Sequence, residues 1–224
     1  MEISEERIKK AQNQDMWGFA NQILYDLCQR NPKHDDDSVI IAKVWLIGRA
    51  YAAAIERRKP TKNITLVNSD AEQQDSSEDF YVKEVAPKIK SIGSELDERI
   101  RRISCYSRIT EALLPQIVDT HWFLTNVFSD ISGMNKRSLA SKYLHFHVPN
   151  MFYIFDSRAY TGVGAVNSDS KLLKRKIQSC LREKTYDDSY LDFAVKAFSL
   201  NQHIYQKHGV WLSPREIDAI LLDY

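Results

Sequence analysis

Residues 131–156 read ISGMNKRSLASKYLHFHVPNMFYIFD. A helix ends at Gly133, a residue that takes the left-handed backbone without steric cost. A second helix starts near Lys136 and presents Leu139, Tyr143, Leu144 and Phe146 to a core. Pro149 breaks it. A short apolar run, Met151 to Phe155, then delivers Asp156 into the first turn of the next helix, where an aspartate caps. A helix–glycine turn–helix leaves free backbone N–H groups at a helix N-terminus, a place that holds phosphate. Lys136 and Arg137 add positive charge at that spot.

The periodicity on either side is also helical. Met16 to Gln29 places Phe19, Ile23, Leu24 and Leu27 on one face. Asp36, Asp37 and Ser38 cap a helix from Val39 to about Arg58, apolar nearly all round, which predicts a central helix. Arg49 inside it predicts a buried ion pair, with Glu111 or another acid ahead of Glu56 as partner. Residues 60–78 are polar and irregular and predict a long loop. Helices resume near Asp79 and run through Ile103. Another spans Tyr106 to Ser129 with a kink at Pro115, and more follow over Asp169–Arg182 and Tyr190–Gln206. The last is capped by Ser213, with Pro214 in its first turn and Glu216 completing a capping box. Only 7 Gly and 6 Pro occur in 224 residues, too few for the turns of an all-β or doubly wound fold. The expectation is an all-α protein of eight to ten helices, one unit over residues 1–224, in two lobes that flank a cleft.

Charge is balanced only in total, with 31 Lys and Arg against 30 Asp and Glu. Residues 134–184 carry ten basic residues and three acids, and the flanking segments are acidic. One cationic face is the implied consequence, and it points to an anionic partner such as nucleic acid. Lys171, Lys174 and Arg175 lie on the basic helix of that segment, whose other reading is a solvated face. The N-terminal residues carry no export pattern, and no apolar run of about 18 residues predicts a membrane span. Cys28, Cys105 and Cys180 form neither a disulfide framework nor a zinc set. A cytoplasmic protein with reduced thiols, no cofactor, no metal and no membrane partner is expected.

Histidines give no metal signature. His145 and His147 diverge on a helix, His203 and His208 miss the i, i+4 spacing, and His34-Asp35 reads as a surface turn. There is no P-loop and no strand-borne GxGxxG.

The order glycine hairpin, helix, proline connection, capping aspartate resembles the helix-hairpin-helix DNA glycosylase superfamily, in particular its 8-oxoguanine glycosylase-like branch. The resemblance covers about Ile131 to Arg158: Gly133 matches the hairpin glycine, Pro149 the connection and Asp156 the family's aspartate. The hairpin's usual second glycine is Asn135, a residue that also tolerates the left-handed conformation. The resemblance implies cleavage of an N-glycosidic bond in DNA, ahead of RNA, at a damaged or modified base. Asp156 would stabilise charge on the sugar, and Lys142 or Lys136 would be the attacking amine of a glycosylase–lyase. Those two lysines lie about 600° of helix rotation apart, so only one can face the substrate. Gly133, Asn135, Lys136, Arg137 and Arg158, with the basic helix, would hold the nucleic acid. Trp122, Tyr143, Phe152 and Tyr160 would form a pocket for the everted base. The competing expectation is a helical module that binds nucleic acid or protein without chemistry.

Overall fold

The computed structural model describes residues 3–13, 15–57, 78–165 and 170–223. The predicted loop at residues 60–78 lies outside these, apart from Glu78, as does Asp169. The fold is all-α. Eleven α-helices occur among the described residues, one more than the upper expectation: α1 Glu5–Gln12, α2 Asp15–Arg30, α3 Asp37–Ala50, α4 Ala86–Ser91, α5 Gly93–Ser104, α6 Leu114–Ser132, α7 Arg137–His147, α8 Ser157–Ala165, α9 Lys171–Cys180, α10 Asp188–His208 and α11 Pro214–Leu222. None is long and apolar enough to cross a membrane.

Helix α1 was not foreseen in the sequence, and the long predicted helical stretches are broken. The helical stretch expected over Asp79–Ile103 contains a π-helical turn, Tyr81–Val85, and divides at Ile92. At that division Gly93 packs on the backbone of His34, where a Cβ would sit 2.5 Å from the carbonyl oxygen. Pro115 does not kink its helix. It occupies the first turn of α6, where its missing N–H costs nothing. Helix α3 stops at Ala50, well short of Arg58. Ala52 takes φ 51°, and its N–H and that of Ala53 return to the carbonyls of Arg49 and Gly48. This is a Schellman closure with alanine in the place glycine usually takes.

The closure changes two expectations about α3. The chain doubles back, so Glu56 meets the guanidinium of Arg49, and that ion pair is half-exposed. The helix also keeps a solvent side, with Trp45, Arg49 and Ala50 exposed. The central helix is α7, which buries every residue from Leu139 to Phe146. Helices α2, α3 and α6 pack around it. Among the described side chains of α2, Leu24 and Cys28 are buried, while Phe19 and Ile23 are exposed.

The second half of the chain wraps the end of this core. Helix α8 packs on α11 and α10, and α1 closes against α11. The α8–α11 crossing depends on Gly162, where a Cβ would lie 2.3 Å from the Leu221 carbonyl oxygen. Gly162→Ala therefore forces two backbones apart, and a loss of about 1–3 kcal/mol is expected. In a chain of this size that lowers Tm by about 2–4 °C for each kcal/mol. Gly164→Ala meets nothing within 4 Å and serves as the control in the same thermal melts.

Candidate functional site

The site is set by the register between α7 and the irregular run before α8. Ser141 Oγ accepts the Phe155 N–H at 2.9 Å. His145 donates from Nδ1 to the Phe152 carbonyl at 3.0 Å, which leaves Nε2 to accept the Tyr25 hydroxyl at 2.8 Å. With those residues pinned, their neighbours Lys142 and Asp156 come together, Nζ to Oδ2, at 3.9 Å. Asp156 divides its carboxylate between two tasks. Oδ1 accepts the Ala159 N–H at 2.8 Å and caps α8, while Oδ2 faces the lysine.

Lys142 is not the outward-facing residue its helix position allows. Its side chain is 4% exposed, against 31% for Asp156. The amine donates to Ser138 Oγ at 2.8 Å and reaches the Tyr51 carbonyl at 3.4 Å. Burial lowers its pKa below the ordinary lysine value, and the charges of Asp156 and Asp218 act in the opposite direction.

Asp218, on α11, went unremarked in the sequence. Its side chain is 7% exposed and its Oδ1 has no hydrogen-bond partner. The nearest cation is Arg215, 3.8 Å away on the same helix, and that guanidinium stacks over Tyr51 and Phe146. Burial pushes the Asp218 carboxyl up to about 7, helped by the nearby Asp156 charge. The one available signal was the i, i+3 spacing of Arg215 and Asp218 within a short apolar helix. A groove of about 520 Å³ begins at Ser157 and Arg158, directly after Asp156, and runs along Thr161, Gly162 and the Leu221–Asp223 end of α11.

The other expected site residues divide. Lys136 is buried, and its amine donates to the carbonyls of Ala54 at 2.9 Å and Arg57 at 2.6 Å, so it ties down the chain after α3. Gly133 takes φ 67° and closes α6, and the Asn135 side chain accepts the Arg137 N–H at 2.9 Å. Arg137 pairs with Asp187 at 2.5 Å, Lys174 with Asp188 and Asp192, and Arg158 donates to the Leu222 carbonyl at 3.3 Å. Lys171 and Arg175 are exposed. The four aromatic residues do not line one pocket. Tyr143 and Phe152 are fully buried, Trp122 donates to Thr185 from α6, and Tyr160 donates to Asp192 from α8. His34 is a core residue and not a surface turn: Nδ1 meets Asp97 at 2.5 Å and Nε2 meets the Tyr143 hydroxyl at 2.8 Å. Among the described residues no three His, Cys, Asp or Glu side chains gather as a metal-ligand set.

Compared with known proteins, the chain matches no family model, no curated protein and no solved structure at a significant level.

Asp218 makes stability depend on pH in a defined direction. Its folded value of about 7 lies above its ordinary 3.8, so between these limits the folded state holds more protons than the unfolded. Stability contributed by the neutral acid is complete below about pH 4 and is lost as pH rises through 7. Asp218→Asn is expected to remove this fall, and urea unfolding of both proteins across pH 4–8 measures it.

Proposed function

We propose that the protein is a DNA glycosylase-like enzyme that cleaves the N-glycosidic bond of a damaged or modified base, with Lys142 as the attacking amine and Asp156 as the carboxylate that stabilises charge on the sugar. The observation that carries this is the 3.9 Å approach of Lys142 Nζ to Asp156 Oδ2 at the head of α8. The groove that starts at the next residue supports it. Lys136, held by two carbonyls, is the weaker candidate of the two lysines.

In this mechanism burial favours the neutral Lys142 amine, which is the nucleophilic form. Its lone pair attacks C1′ and the C1′–N bond breaks. The electron pair leaves with the base, which takes up a proton. Asp156 lowers the energy of the positive charge that develops on the sugar as the C1′–N bond breaks ahead of full bonding to the amine. Opening of the sugar ring then gives an iminium on Lys142, from which water releases the protein, or β-elimination nicks the strand. Asp218 titrates near neutrality beside the pair and is the group suited to take the ammonium proton before attack.

A second reading is a nucleic-acid-binding or protein-binding module without chemistry. It is favoured by the near-complete burial of the Lys142 amine and by its contacts to Ser138 and Tyr51.

Borohydride trapping on a panel of lesion-containing duplexes separates the two. The expected result is a covalent protein–DNA adduct that is lost in Lys142→Met and retained in Lys136→Ala. Methionine preserves the volume of the buried stem, so the fold survives the change. In Asp156→Asn, base release is expected to fall by about a hundredfold or more. Salt-sensitive duplex binding with no adduct and no released base on any lesion supports the module instead.

A further inference from the structure

The last turns of α10, the residues before α6 and the start of the loop into α11 enclose a second groove. Its volume is about 290 Å³, at the foot of the roughly 300–1,000 Å³ range of small-ligand sites. It shares no residue with the cluster around Lys142. Three rings shape it. Trp211 meets the buried Phe198 at 5.8 Å and 64°, and meets Tyr205 at 6.1 Å and 68°. Tyr205 is 48% exposed. A flat ring laid on the face of Trp211 or Tyr205 thus turns its edge to the other, so both favoured aromatic geometries are met together.

The polar groups converge on the same space. Gln202 and Gln206 stand one turn apart on α10 and offer amide donors and acceptors. Arg108 lies over Trp211 with its guanidinium carbon 5.5 Å from the ring centroid. That guanidinium makes no ion pair or hydrogen bond with a described residue. The one acid in the lining, Glu111, is already taken by Lys176. The groove therefore presents an aromatic corner, two amides and one uncompensated cation.

We propose that this groove binds a nucleotide. Its base stacks on the exposed Tyr205 and the partly buried Trp211, the glutamine amides bond the base edge, and its phosphate pairs with Arg108. A free mononucleotide and one unit of a single strand share this chemistry. The inference goes beyond the glycosylase reading and does not depend on it.

The test uses the full chain, with tryptophan fluorescence and calorimetric titration. The probes are AMP, UMP, short oligothymidine, adenosine and inorganic phosphate. The expected result is saturable binding of AMP or UMP at least about tenfold tighter than of adenosine or phosphate alone. Arg108→Glu, at an exposed position, is expected to weaken it by about tenfold or more, while Lys142→Met leaves it unchanged. Tighter binding of the oligonucleotide assigns the site to a strand, and equal or weaker binding assigns it to free nucleotide. Trp211→Phe should keep binding and lose the fluorescence change. The proposal is overturned by absence of saturable binding of both nucleotides and oligonucleotide, by phosphate binding as tightly as AMP, or by unaltered affinity in folded Arg108→Glu.

Discussion

An ammonium group taken out of water must keep oxygen partners, and the burial of Lys142 imposes that condition on the centre of this protein. Ser138, the Tyr51 carbonyl and Asp156 meet it from three parts of the chain: α7 itself, the turn after α3 and the head of α8. The same demand recurs along α7. Ser141, Tyr143 and His145 each carry a polar group into the core, and each binds a group on another segment: Phe155, His34 and Phe152 respectively. These bonds fix the rotation of α7 and the register of the run that follows it. The geometry of the candidate site is a by-product of keeping a polar central helix satisfied.

The charge distribution follows a similar rule. The basic segment reads as a cationic face, yet four of its ten basic residues find acids contributed from outside it. Lys176 meets Glu111, Lys184 meets Asp119, Arg137 meets Asp187, and Lys174 lies between Asp188 and Asp192. Five acids of the flanking segments, Glu111, Asp119, Asp187, Asp188 and Asp192, are partners of these cations. Exposed pairs of this kind contribute little to stability, but they reduce the field available to a polyanion. Lys171 and Arg175 remain on the outer surface of α9, and Arg108 stands at the aromatic groove.

Much of the fold was legible because it is local. The Ser213–Pro214–Glu216 capping box appears as read, with both reciprocal bonds formed. The helix-ending Gly133 adopts the left-handed backbone, and Asp156 caps α8. The misplaced features involve residues whose surroundings come from distant sequence. Helix α3 looked central because its letters are apolar, whereas for α7 only Leu139, Tyr143, Leu144 and Phe146 were expected in the core, and the structure buries every residue from Leu139 to Phe146. His34 looked like a turn residue because Asp97 and Tyr143, its partners, lie far along the chain. Asp218 carried no mark except its spacing from Arg215.

From the amino-acid order alone came the all-helical class, the hairpin with its glycine, the capping aspartate and two lysines that cannot share a target. Those follow from backbone sterics and short-range periodicity, which act within a few residues. Tertiary structure decided which lysine lies beside Asp156, that a second carboxyl from the last helix joins them, and that the expected aromatic pocket is dispersed. Burial and electrostatic pairing are properties of the space between segments, and no stretch of sequence contains both sides of that space.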